Sequence, residues 1–128
     1  MTDSAAAPGP LRVLLVDPDD RVRESLAGLL CIGHRCAVIG TAGTADDAIV
    51  LAGQSEPDVI VLDPRLPDRD GSALIAQLKL AAPAARVLVL NWSETADQVT
   101  GADAYVRKTF RPHELIDAVV AATRRSVA

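Results

Sequence analysis

A chain of 128 residues with 49% hydrophobic side chains has material for one well-filled core and no room for a second domain. Its formal net charge is -4 and its arginines are scattered rather than gathered into a basic stripe, which argues against direct nucleic-acid binding. The longest apolar runs, such as Val59–Leu62 and Val87–Leu90, are far short of a membrane span, and no charged start followed by an apolar stretch marks an export signal, so a cytoplasmic location with no membrane partner is expected.

Residues 1–10 are small, polar or Pro/Gly and predict a disordered lead-in; the domain is expected over residues 11–124, with 125–128 as a C-terminal tail. Leu11–Val16 is a short β-type run ended by Asp17 and Pro18. Val22, Leu26, Leu29 and Leu30 then recur at helical spacing, with Asp20 as the expected N-cap. The unit repeats, with Cys36–Gly40 leading into a Thr44-capped helix that ends near Gln54. Val59–Leu62 follows, then a Pro-rich loop and a helix from about Gly71 to Leu80. A fourth run, Val87–Leu90, precedes a short polar stretch, and a fifth, Ala104–Val106, precedes a helix carrying Leu115, Ile116, Val119 and Val120.

With aromatic residues at only 2%, the core must be aliphatic, and continuous apolar runs mean strands covered on both faces. Right-handed helical crossovers between such strands give a doubly wound parallel α/β sheet, whose ligand crevice lies outside the carboxyl ends of the strands. Cys31, His34 and Cys36 form a C-x-x-H-x-C arrangement, but structural zinc wants four ligands and only His113 remains, so the cysteines read as reduced thiols. Neither histidine has the partners of a hydrolase, and no phosphate-binding glycine loop follows any strand.

The carboxyl ends of the predicted strands carry Asp17, Asp19 and Asp20 after the first, Asp63 after the third, Asn91 after the fourth and Lys108 after the fifth. Carboxylates gathered there repel one another unless a hard divalent cation or an ammonium neutralises them. Lys108 is one of only two lysines in the chain, and a flexible ammonium suits a site that must meet a phosphoryl oxygen.

Four fragments carry a resemblance. They are V-D-x-x-x-x-V-R-E-S-L at Val16–Leu26, P-D-V-I-V-L-D at Pro57–Asp63, L-P-D-R-D-G at Leu66–Gly71, and G-A-D-A-Y-V-R-K at Gly101–Lys108. In this order, on these elements, the chain resembles bacterial response-regulator receiver domains over about Leu11 to Ala122. The resemblance implies a flavodoxin-like (βα)5 fold with strand order 2-1-3-4-5. It also implies a phosphoryl acceptor of two-component signalling rather than a metabolic enzyme. Asp63 would take the phosphoryl group from a sensor histidine kinase or phosphotransfer protein, and Lys108 would contact that group. Mg²⁺ would be held by Asp17, Asp63 and the backbone carbonyl of Arg65. Asn91 occupies the family's switch-hydroxyl position, Pro67 the loop proline, and Tyr105 the aromatic that changes rotamer on activation. The output would be a changed protein contact, with an effector domain or a second copy of the chain.

The sequence departs from the family pattern at three places. Pro18 stands where the family has a second acid and offers no side-chain oxygen, which weakens Mg²⁺ binding and leaves Asp19 as a further candidate ligand. Asn91 replaces a hydroxyl, and Trp92, read as a hydrophobic plug, follows where a small residue is usual. Only nine residues, Trp92 to Thr100, separate Asn91 from Gly101, which predicts that the fourth helix of the family is shortened or absent. These departures keep a second reading open, an atypical receiver acting as a phosphorylation-independent interaction or dimerisation module. A flavodoxin-like nucleotide-binding enzyme is disfavoured by the acidic Pro18–Asp20 segment. Asp46, Asp47, Asp97, Asp103 and Asp117 are expected to be solvated charges, with Asp68 and Asp70 serving the loop and cap before the third helix.

Overall fold

The computed structural model describes residues 9–91 and 99–124. Its elements are β1 (Leu11–Val16), α1 (Asp20–Leu30), a 3-10 turn (Ile32–His34), β2 (Cys36–Ala42), α2 (Ala45–Ser55), β3 (Val59–Leu62), α3 (Gly71–Ala81), β4 (Arg86–Asn91), β5 (Ala104–Arg107) and α4 (Pro112–Arg124). The strands form one parallel sheet in the order β2-β1-β3-β4-β5, the doubly wound arrangement expected from the sequence. The predicted shortening of a helix after the fourth strand, and the reading of Trp92, concern residues 92–98, which lie outside the described residues, as do residues 1–8 and 125–128. Among the described residues no helix is long and apolar enough to cross a membrane.

Alternate side chains of β1, β3 and β4 supply two separate cores. Leu14, Val16, Ile60, Leu62, Val87 and Val89 point to one face, where Ala45, Ala48 and Ala52 of α2 and Leu74 and Leu78 of α3 cover them. Val13, Leu15, Val59, Val61, Leu88 and Leu90 point to the other, against Leu26 and Leu30 of α1 and Leu115 and Val119 of α4. Each such Val or Leu contributes about 1.5–3 kcal/mol by leaving water, which is why β3 can be only four residues long and still hold the centre of the sheet. The alanines of α2 let its backbone lie close to the strands.

Local signals account for most boundaries. The Thr44 hydroxyl accepts from the Asp47 amide at 3.2 Å, and Asp70 caps α3 through the Ala73 amide at 3.1 Å. Three expectations need correction. The cap of α1 is Asp19, not Asp20: its carboxylate accepts from the Arg21 and Val22 amides at 2.9 and 3.0 Å. Asp19 is the last extended residue before the helix, with φ -95 and ψ 119, so its carboxylate is the one that faces the free amides of the first turn. β2 runs two residues further, to Ala42, because Thr41 and Ala42 pair with Leu15 and Val16. Asp68 lies in the loop before α3 as expected, and from there it also accepts from the Ala45 amide of α2 at 2.9 Å. Asp103 is not a solvated turn charge; it accepts from the Val87 amide at 2.8 Å and stands beside Lys79 and Arg86.

Candidate functional site

Backbone bonds that prolong the sheet beyond its strands fix the candidate residues. The Asp17 amide donates to the Ala42 carbonyl at 3.0 Å, the Asp63 amide to Val16 at 2.9 Å, and the Lys108 amide to Asn91 at 2.6 Å. Three side chains from β1, β3 and β5 are thereby brought to one point at the carboxyl edge. Lys108 Nζ donates to Asp17 Oδ2 and, at 2.7 Å, to Asp63 Oδ2. All three side chains are almost wholly buried, at 1–2% exposure, so the ammonium and the carboxylates interact with little solvent screening.

The pocket holds a second cation. Arg65 folds back on Asp63, its Nε donating to Oδ1 at 3.3 Å and its Nη2 to Oδ2 at 3.2 Å, while its backbone amide donates to Oδ1 at 3.0 Å. Burial raises the Asp63 pKa, but the bonds from Arg65 and Lys108 outweigh it and hold the carboxyl below its ordinary value. On the Asp17 side, Oδ1 accepts from the Asp19 amide at 2.9 Å, and Arg23 Nη1 donates to the Asp17 carbonyl at 2.6 Å. Pro64, buried between Asp63 and Arg65, packs tightly on Gly71: a Cβ there would lie 3.0 Å from the proline ring and would need it to shift, so glycine lets α3 start close to the site.

The remaining predicted residues lie around this centre. Asn91 ends β4, and its Oδ1 is buried with no hydrogen-bond partner among the described residues. Tyr105 is 52% exposed on β5, with its hydroxyl accepting from the Ala102 amide at 3.1 Å. Pro67 is exposed in the β3–α3 loop. Asp19 is engaged at the start of α1. The sequence reading weighed Arg65 only for its carbonyl and did not consider Arg23; the available signal was a five-donor side chain two residues beyond a candidate acid.

Residues 13–120 match the family described as the response regulator receiver domain. The transcriptional regulatory protein YxjL of Bacillus subtilis is 34% identical over 119 residues, covering 89% of this chain and 55% of that protein. The DNA-binding transcriptional activator DevR/DosR of Mycobacterium tuberculosis is 37% identical over 115 residues, covering 85% of this chain and 52% of its own length. The chain therefore spans about half the length of the curated relatives it matches. Among solved structures, a LuxR-family two-component response regulator from Aurantimonas superposes with a TM-score of 0.76 at 28% identity, covering 89% of this chain and 85% of that one.

Receiver domains generally bind Mg²⁺ for phosphorylation. The donors here fit that ion poorly. Mg²⁺ demands near-octahedral oxygen ligands. Both Asp63 oxygens already accept from cations, Asp17 is shared between Lys108 and the Asp19 amide, position 18 has no side-chain oxygen, and Asp19 faces the α1 amides. Among the described residues, no group of three His, Cys, Asp or Glu side chains is arranged to hold a metal.

Proposed function

The chain belongs to the response-regulator receiver family, and we propose that Asp63 is its phosphoryl acceptor in a two-component relay, with a sensor histidine kinase or phosphotransfer protein as donor. The observation that carries this reading is the convergence of Asp63 with Asp17 and Lys108 at the carboxyl edge of a doubly wound sheet, where such folds place their ligands. An Asp63 oxygen attacks the phosphorus of a phosphohistidine, a P–O bond forms as the P–N bond breaks, and the imidazole leaves with the electron pair and takes a proton from solvent.

Lys108 makes the transfer favourable in two ways. Its ammonium keeps Asp63 in the ionised, nucleophilic form, and it lies 2.7 Å from the reacting oxygen, where a phosphoryl oxygen would meet it. Asn91 offers an amide at the edge of the site where the family has a hydroxyl, and Tyr105 stands outward on the edge strand. Output is a changed protein contact, to an effector domain or to a second copy. The DNA binding in the name of the Mycobacterium tuberculosis relative would belong to a segment outside the matched half, since this chain's net charge of -4 is unsuited to phosphate backbones.

The test is intact mass after incubation with a small-molecule phosphoryl donor, with and without Mg²⁺, and with Asp63→Asn as control. One adduct that the substitution abolishes is expected. No adduct under any condition would overturn the acceptor role in favour of a receiver fold that acts through constitutive contacts.

A further inference from the structure

The disagreement between this pocket and a divalent ion has a specific cause. A receiver pocket built only from carboxylates and one lysine would carry excess negative charge and so attract metal. Here two buried carboxylates, Asp17 and Asp63, face two side-chain cations, Lys108 and Arg65. Among the described residues these four formal charges cancel. Arg65 is no passing neighbour: its planar fork spans both oxygens of Asp63, and the turn that returns it is fixed by its own amide on Oδ1 and by the buried Pro64.

We propose that Arg65 is the resident second cation of the acceptor pocket, and that its guanidinium holds divalent metal off Asp63 by occupying the oxygens such an ion would need. Pro18 belongs to the same arrangement, because the carboxylate it replaces would restore the negative charge that Arg65 balances. The guanidinium is also placed to follow the charge. On phosphorylation Asp63 gives up its own negative charge, the phosphoryl group brings about -1.5 to -2, and a half-exposed arginine with five donors can rotate from carboxylate to phosphoryl oxygens without moving the backbone. This second step rests on the acceptor reading; the exclusion of metal does not.

The experiment titrates MgCl₂ into the unaltered chain and into Arg65→Gln by calorimetry, with no phosphoryl donor present. Removing a unit charge in contact with Asp63 should tighten Mg²⁺ binding by about tenfold or more. Arg65→Met, of similar bulk and no charge, repeats the test should the glutamine variant fail to fold. Affinities within about twofold of each other, or no measurable binding in either chain, would overturn the proposal, because Pro18 alone would then account for a weak site. Loss of the Asp63 adduct in the phosphoryl-donor experiment would instead overturn the acceptor reading, and the metal titration would still judge Arg65 by itself.

Discussion

Replacing Lys108 with methionine removes the one ammonium that two buried carboxylates share. Asp17 and Asp63 both bond to the same Nζ, so without it two like charges face each other at 2% exposure. Breaking a buried ion pair by removing one partner costs about 3–5 kcal/mol, because an uncompensated charge stays behind. Arg65 remains on Asp63, so the lower half of that range applies to Asp63 and the main loss falls on Asp17, which keeps only the Asp19 amide on its Oδ1. Against a total stability of about 5–15 kcal/mol for a domain of this size, this loss should lower Tm by about 10–15 °C. The pH dependence carries the diagnosis. In the variant the penalty is that of buried negative charge left unpaired, so it is full at pH 7 and fades as acid neutralises that charge. In the unaltered chain Asp63 is held below its ordinary value, so its contribution persists to about pH 4 and is lost only below it. Urea unfolding of both chains at pH 7 and at about pH 4.5 should show the gap narrowing on acidification. A difference under about 1 kcal/mol at pH 7, or one that does not depend on pH, would refute the buried-charge reasoning.

Two further outcomes follow from single contacts. Asp103→Ala strands the Val87 amide at the start of β4 and should cost about 1–3 kcal/mol in urea unfolding; Asp103→Asn, which keeps an acceptor oxygen, should recover part of it. Glu56 ends α2 with φ 50 and ψ 62, a left-handed conformation that a side chain disfavours. Glu56→Gly should therefore raise stability by about 0.5–1 kcal/mol, read as an increase in Tm, whereas a decrease would mean that its side chain has a structural role.

The strands were legible because β1, β3 and β4 are buried on both faces, which writes uninterrupted apolar runs into the sequence, and Thr44 and Asp70 announce their helices by residue type alone. The convergence of Asp17, Asp63 and Lys108 was legible for the same reason: each directly follows a strand of one parallel sheet. What was hidden depends on where a side chain reaches across space. Asp68 caps a helix 23 residues upstream, and Asp103 satisfies an amide 16 residues away; neither partner is marked by spacing. Asp19 and Asp20 are the same residue type side by side, and only the backbone turn at Asp19 decides which of them caps α1. The Arg65 side chain could have pointed to solvent by sequence alone, and only the turn geometry after Asp63 returns it to the pocket.

The ladder bond from the Asp63 amide to the Val16 carbonyl ties the reacting carboxylate to the centre of the sheet, between the two aliphatic cores. Such bonds open only with large-scale unfolding, on timescales of minutes or longer, whereas the guanidinium is held on Asp63 from a half-exposed arm by side-chain bonds alone. The carboxylate and the cation that covers it are thus anchored differently: the acceptor is fixed by the sheet, while its cover rests on it through side-chain bonds alone and can be released without disturbing the strands.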